Sequence, residues 1–169
     1  FAGFEVTLMP AAAFLQQPLR WLHAVSRYRA TTSGGPTFAY ALCCDAIPHP
    51  DSATLDLSSW EVAFVGAEPV RAATMQRFAR HFAACGFRAS AIVPCYGLAE
   101  ATLMVSCAPR NAGLHTAPAN APERQVAMEM LERVDLAGHT VIADKGFSGR
   151  EFEGFMADRG ALFLRPDRK

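Results

Sequence analysis

The sequence predicts an α/β protein: a parallel sheet in its first two thirds, then a shorter αβαβ stretch of different character. Three observations carry this. Short apolar runs alternate with stretches of helical period through residues 1–108, and strand–helix alternation argues a parallel sheet. Two of the apolar runs end in small-residue turns that open the next helix: Val62-Ala63-Phe64-Val65-Gly66-Ala67-Glu68-Pro69 and Ile92-Val93-Pro94-Cys95-Tyr96-Gly97-Leu98-Ala99-Glu100. Finally, charge density more than doubles after residue 108, from 14 charged residues in the first 108 to 18 in the last 61.

Residues 4–9 read as a short apolar strand. Residues 11–29 carry Phe14, Leu15, Leu19, Leu22, Val25 and Tyr28 near helical period, with Pro18 starting a second helix inside the pattern. Residues 31–33 are short and β-branched, and Gly34-Gly35-Pro36 reads as a turn. Residues 37–47 read as a helix capped by Thr37. Residues 60–65 form a strand ended by Gly66. Residues 71–84 form a helix with Met75, Phe78 and Phe82 on one face and Gly86 as its stop. Residues 91–95 form a strand, Gly97 turns the chain, and residues 99–106 begin a helix.

Residues 109–121 have linker composition, rich in Pro, Ala, Gly and Asn. Three segments follow from this: 1–108, the junction 109–121, and 122–169. In the last, residues 122–134 read as a helix opened by Pro122 and carrying Val126, Met130, Leu131 and Val134. Residues 140–143 are a buried strand ending at Asp144. Ser148 and Glu151 make a capping box for a helix over 149–159, with Phe152, Phe155 and Met156 inward. Residues 161–164 are the last strand.

Composition excludes several classes. Lys+Arg and Asp+Glu are 16 each, so no global charge favours nucleic acid or an acidic membrane surface. Hydrophobic residues at 51% support a buried core and argue against disorder. The five cysteines are odd in number, two are adjacent, and none is spaced Cys-x-x-Cys. That pattern predicts reduced thiols and a cytoplasmic location, not a disulfide framework or zinc site. No apolar run reaches the length of a membrane span, and no signal peptide is visible. The two ends read as cut from something longer.

In parallel sheets, ligands bind beyond the carboxyl ends of strands, where the two small-residue turns lie. Tyr96 offers a ring for stacking on a base, and Glu100 a carboxylate for Mg²⁺ beside phosphates. The same residues also read as an ordinary turn and a solvated helix carboxylate. A resemblance weighs on that choice. Ser33-Gly34-Gly35-Pro36-Thr37-Phe38-Ala39-Tyr40, Leu55-Asp56-Leu57-Ser58-Ser59-Trp60, Gly66-Ala67-Glu68-Pro69-Val70-Arg71 and Pro94-Cys95-Tyr96-Gly97-Leu98-Ala99-Glu100-Ala101-Thr102-Leu103 resemble the fatty acyl-AMP ligases. These belong to the adenylate-forming, AMP-dependent synthetase/ligase superfamily. The resemblance implies a fragment of the parallel-sheet N-terminal domain, ATP and Mg²⁺ as cofactors, a fatty acid as substrate, and an acyl carrier protein or polyketide synthase as acceptor. It implies that Gly66, Ala67 and Glu68 border adenine, that Tyr96 with Gly97 stacks on it, and that Glu100 contacts Mg²⁺ and phosphate. Gly34, Gly35 and Pro36 would border the acyl tunnel.

Departures accompany the likeness. Val65 stands where the family usually has Asn, and Ala99 where the wider superfamily has Thr. The Ser/Thr/Gly-rich phosphate loop, the ribose-binding Asp and the lid Lys are missing, and no lysine precedes Lys145. A second resemblance covers about residues 115–169. Thr140-Val141-Ile142-Ala143-Asp144-Lys145-Gly146-Phe147 is similar to insertion-sequence DDE transposases, whose RNase H-like core holds two metal ions on three carboxylates. It implies that Asp144 is one catalytic, metal-binding carboxylate, with DNA as partner under that reading alone. An Asp that merely caps the next turn is the plainer reading. The resulting expectation is a truncated fatty acyl-AMP ligase, inactive as this chain. The alternatives are a transposase fragment and a non-catalytic module that binds nucleotide or a partner.

Overall fold

The computed structural model describes residues 3–48, 50, 51, 53–118, 120–142, 147 and 149–164. They form two compact units, Phe1–His115 and Thr116–Lys169, dividing inside the 109–121 stretch.

In the first unit, β1 (Thr32–Gly35), β2 (Val62–Val65), β3 (Ile92–Tyr96) and β4 (Ser106–Cys107) make one sheet in that order. The first three run parallel, with Gly35 opposite Val65 and Val65 opposite Pro94. β4 is antiparallel to β3, so the sheet is mixed where a parallel one was expected. The helices are α1 (Ala11–Gln16), α2 (Leu19–Tyr28), α3 (Thr37–Ala46) and α4 (Ala72–His81). Pro18 separates α1 from α2, because proline lacks the N–H that a continuous helix needs there.

The core of this unit is aromatic. Trp60 is fully buried, with Trp21, Tyr40, Phe78 and Phe87 at ring-centroid distances of 5.2, 6.2, 6.1 and 5.3 Å. Its indole N–H donates to the Ser33 carbonyl at 3.2 Å and the Val62 carbonyl at 3.0 Å. Trp21 Nε1 donates to Ser33 Oγ at 2.8 Å. Both tryptophans are thus tied to the middle of β1.

Four expectations are corrected. Residues 4–9 form no strand: Phe4, Val6 and Leu8 are exposed, and no strand among the described residues pairs with them. Gly34 and Gly35 lie in β1 and not in a turn, because β1 closes tightly on β2 at Gly34. Thr37 is the first residue of α3 and Pro36 caps it; Pro36 holds extended geometry, and the Thr37 hydroxyl donates instead to the Pro69 carbonyl at 3.5 Å. Residues 99–106 form no helix. One 3₁₀ turn, Ala99–Ala101, ends at Thr102 with φ 68°, and the chain then returns along β3 as β4. The edge of β3 offers backbone partners to that return, whereas Leu103, Met104 and Val105 stay exposed and give a helix no face to bury.

The second unit holds α5 (Glu123–Leu131), β5 (Thr140–Ile142), α6 (Arg150–Asp158) and β6 (Leu162–Leu164), with β5 and β6 parallel. Phe152, Met156 and Leu136 are buried against Met128, Leu131, Phe147, Phe155 and Phe163. On α5, Met128 packs inward while Met130 is exposed, and so is Val134 beyond the helix's end. Gly149, not Ser148, precedes α6, and its N–H is 3.4 Å from Glu153 Oε1. Ser148, Asp144, Lys145 and Lys169 lie outside the described residues, and with them the Ser148 half of the capping box. Among the described residues no helix is long and apolar enough to cross a membrane.

Candidate functional site

The parallel register decides which motif residues meet. β1 ends at Gly35, β2 at Val65 and β3 at Tyr96, on neighbouring strands that run the same way. Gly35-Pro36, Gly66-Ala67-Glu68 and Tyr96-Gly97 therefore leave one edge of one sheet, its carboxyl edge. Three motifs separated by about 30 residues each in sequence converge there because parallel strands need long crossovers, supplied here by α3 and α4. The carboxyl edge is where open α/β sheets take their ligands.

Each residue has a definite place. Gly66 lies so close to β3 that a Cβ on it would sit 2.6 Å from the Cys95 carbonyl oxygen and 2.7 Å from Cys95 Sγ. Only glycine fits there. Ala67 follows with φ 65°, a conformation that turns the chain sharply at a cost for a residue with a side chain. Glu68 Oε1 accepts the Phe38 N–H at 2.9 Å. This places a carboxylate at the N-terminus of α3, where unpaired N–H groups and the helix dipole favour negative charge. With the Thr37–Pro69 hydrogen bond, it fastens the 66–69 turn to α3.

Tyr96 projects with 62% of its surface exposed at the end of β3. Gly97 lies against the Leu103 carbonyl, which a Cβ would strike. Glu100 is exposed in the 3₁₀ turn that follows. Gly34 differs from Gly35: a Cβ on Gly34 would overlap the Phe64 carbonyl, while one on Gly35 would make an ordinary contact of 3.7 Å with Ala39. Close strand packing accounts for Gly34 by itself. Asp144 lies outside the described residues.

Beneath the edge sits a layer that the motifs did not announce. The Tyr40 hydroxyl donates to the Phe64 carbonyl at 2.8 Å and Cys95 Sγ to the Val65 carbonyl at 3.5 Å. Burial, with Cys95 and Cys43 nearby, pushes the Tyr40 phenol far up, so it stays a neutral donor. Burial likewise raises Cys43 to about 12 and Cys44 to about 11. The Tyr40 hydroxyl and the Cys95 thiol hold the β2 carbonyls just before Gly66. Tyr40 lies inside the Ser33–Tyr40 motif, on the helix that leaves β1, and Cys95 inside the Pro94–Leu103 motif, but neither motif signalled a hydrogen bond to β2.

The arrangement offers an exposed ring beside a backbone edge, with one carboxylate four residues on. A ring and a small-residue backbone suit the face of a purine. For a divalent cation the donors are sparse. Among the described residues no group of three or more His, Cys, Asp or Glu is arranged to hold a metal ion. Glu100 therefore suits Mg²⁺ only together with phosphate oxygens and water, the usual manner of Mg²⁺ at nucleotide sites.

The AMP-binding enzyme family model matches residues 1–132. That span includes α5. A medium-chain-fatty-acid–acyl-carrier-protein ligase, TtuA of Teredinibacter turnerae, is 52% identical over 106 residues, 63% of this chain and 16% of the relative. A long-chain-fatty-acid–AMP ligase, FadD32 of Mycolicibacterium smegmatis, is 42% identical over 112 residues, 63% of this chain and 18% of the relative. The crystal structure of a fatty acyl-adenylate ligase from L. pneumophila, in complex with acyl adenylate and pyrophosphate, superposes with a TM-score of 0.63 at 48% identity. It covers 66% of this chain and 20% of that one. The chain thus spans about a fifth or less of the length of each of these relatives.

Proposed function

The chain belongs to the AMP-binding enzyme family, and from that premise we propose that residues 1–115 form part of the nucleotide and acyl site of a fatty acyl-AMP ligase. Such an enzyme joins a fatty acid to AMP at the expense of ATP and passes the acyl group to an acyl carrier protein or polyketide synthase. The convergence of Pro36, Gly66-Ala67-Glu68 and Tyr96-Gly97 on one sheet edge carries the proposal. The names of the relatives, fatty-acid–acyl-carrier-protein and fatty-acid–AMP ligases, support the substrate class.

In this reading Tyr96 stacks on adenine, and the backbone of Gly66 and Ala67 borders its edge. Glu68 keeps that turn in place through α3. Glu100 orients Mg²⁺-bound phosphates, and Gly35 with Pro36 borders the acyl chain. Mg²⁺, when bound with ATP, neutralises phosphate charge. The 169 residues hold no Ser/Thr/Gly-rich phosphate loop and no lysine before Lys145. This segment therefore supplies the base and metal edges of the site but not the cradle that stabilises charge in adenylyl transfer. Alone it binds ATP weakly and turns nothing over.

The test exchanges the corresponding segment of an active fatty acyl-AMP ligase for residues 1–115. Pyrophosphate exchange with ATP and medium-to-long fatty acids should persist in the chimera, fall sharply with Glu100→Ala and weaken for ATP with Tyr96→Ala. A folded, active chimera indifferent to both substitutions overturns the assignment.

For residues 133–169, past the end of the family match, the transposase-like reading of Asp144 is favoured by one observation: β5 and β6 pair in parallel across α6, with β5 ending two residues before Asp144 in sequence. One carboxylate does not hold two metals. A strand-transfer assay with Mg²⁺ or Mn²⁺ should show no activity in this chain, and Asp144-dependent transfer would make it a transposase instead.

A further inference from the structure

We propose that Cys95 and Cys107 are a redox pair, oxidised to an intramolecular disulfide by glutathione disulfide or a like thiol oxidant, which clips β4 onto β3 and closes the Tyr96–Glu100 loop. Sequence spacing alone gave these thiols no connection. The sheet register does, because Cys95 on β3 is directly opposite Cys107 on antiparallel β4. The hydrogen bonds specify the kind of pair. The Ala108 N–H donates to the Pro94 carbonyl at 2.9 Å, which puts the ladder bond one residue outside the cysteines. Cys95 and Cys107 are therefore a non-hydrogen-bonded pair, in which Cα atoms stand about 4.5 Å apart and side chains share one face. That separation lies in the range of about 4.4–6.8 Å that a disulfide spans.

A second observation agrees. After burial, the neighbouring Cys107 thiol is the cause that pushes the Cys95 thiol up, so the two sulfur groups are within electrostatic reach. Cys43 is likewise raised by Cys44, but neither of these two, nor Cys85, stands opposite another cysteine across a strand pair. Cys43 and Cys44 are adjacent on α3 in the aromatic core, and Cys85 is buried below it.

The chemistry follows from exposure. Cys107 is exposed and Cys95 half-buried. The Cys107 thiolate attacks one sulfur of glutathione disulfide and expels one glutathione thiolate, leaving a mixed disulfide. The Cys95 thiolate then attacks the Cys107 sulfur and expels the second glutathione. The protein loses two protons and two electrons; the glutathione disulfide gains both and becomes two thiols. The loop so closed carries Tyr96, Gly97 and Glu100, yet the proposal stands whether or not those residues bind nucleotide.

The experiment equilibrates the folded chain with a series of glutathione disulfide/glutathione ratios, quenches with acid, alkylates and digests. Cys95 and Cys107 fall in one tryptic peptide, residues 89–110, since no Arg or Lys lies between Arg88 and Arg110. The expected product is that peptide lighter by two hydrogens and without glutathione. After cleavage at Glu100 its two halves should stay joined until reduced. Oxidation in the folded chain should require a glutathione disulfide ratio at least tenfold lower than in denaturant. Cys107→Ser should abolish the product while leaving Cys43, Cys44 and Cys85 unmodified. A stable mixed disulfide on Cys107, cross-linked dimers, or equal oxidation of folded and denatured chain would each overturn the proposal.

Discussion

Two neighbouring glycines should behave in opposite ways when changed to alanine. At Gly34 the added Cβ would sit 2.5 Å from Phe64 Cγ and 2.6 Å from Cδ2, and closer still to the Phe64 carbonyl oxygen. Carbon atoms are comfortable at about 3.5–4.0 Å. The ring can swing aside, but the carbonyl is backbone of β2. To make room, β1 and β2 must separate by about 1 Å, more than the ~0.5 Å that ladder hydrogen bonds tolerate. Overpacking of this kind costs roughly 1–3 kcal/mol, and losing ladder bonds puts Gly34→Ala at or beyond about 3 kcal/mol. At Gly35 the nearest atom is Ala39 Cβ at 3.7 Å and φ is not positive, so Gly35→Ala should be neutral or stabilising by about 0.4–1 kcal/mol through the unfolded state. Urea unfolding followed by tryptophan fluorescence reads both. Trp21 and Trp60 are the chain's two tryptophans and both hydrogen-bond Ser33, next to the mutated residues. With a slope of about 1–3 kcal/mol per molar, Gly34→Ala should lower the midpoint by a molar or more, and Gly35→Ala should leave it or raise it slightly. Equal midpoints for the two variants would refute the register and the reasoning built on it.

Other outcomes follow from the same geometry. Tyr96→Ala should leave the unfolding free energy from the urea assay within about 0.5 kcal/mol, since the ring is exposed, while weakening ATP binding in the chimera by roughly 5- to 150-fold in calorimetry, the worth of one base–aromatic stack. Glu68→Ala should lower stability by about 0.5–2 kcal/mol in the same urea assay, as loss of a helix N-terminal acceptor does, and Glu68→Gln, which keeps an acceptor oxygen, by less. The Asp56 carboxyl is held down near 2 by hydrogen bonds from Ser58 and then from Arg29. Because its folded pKa lies below the ordinary 3.8, the stability it supplies is present above about pH 4 and is lost as pH falls towards 2. Asp56→Asn should flatten the urea midpoint against pH across that window, and an unchanged slope would show that Asp56 contributes nothing.

The strands and helices that proved legible are those whose signals are local and whose partners are near. Pro18 divides α1 from α2 by removing one N–H, and the Met75–Phe78–Phe82 face finds Trp60 and Tyr40 to cover it. What stayed hidden depends on neighbours distant in sequence. The apolar residues 4–9 have strand composition but no ladder partner among the described residues, and composition cannot supply one. Residues 99–106 have helical composition, yet the free edge of β3 captures the chain as β4. Gly34-Gly35-Pro36 has turn composition, but the demand at Gly34 comes from Phe64, thirty residues away. The motif resemblance found the carboxyl edge because it marks residues by type and order, without needing to know what each one touches.

That difference narrows what the motif says about ligand binding. Gly34, Gly66 and Gly97 are each required by backbone packing on the next strand or loop, and Glu68 is required by the N-terminus of α3. A loss of activity on changing any of them would report misfolding of the edge as readily as loss of a ligand contact. Tyr96 and Glu100 are different. Their side chains are exposed, and Tyr96 joins the sheet through its backbone alone, pairing with Ser106 and accepting the Val105 N–H at 2.9 Å, so both side chains are free to face a ligand. The nucleotide reading therefore rests on these two positions, and variants there separate binding from folding where the glycine-rich turns cannot.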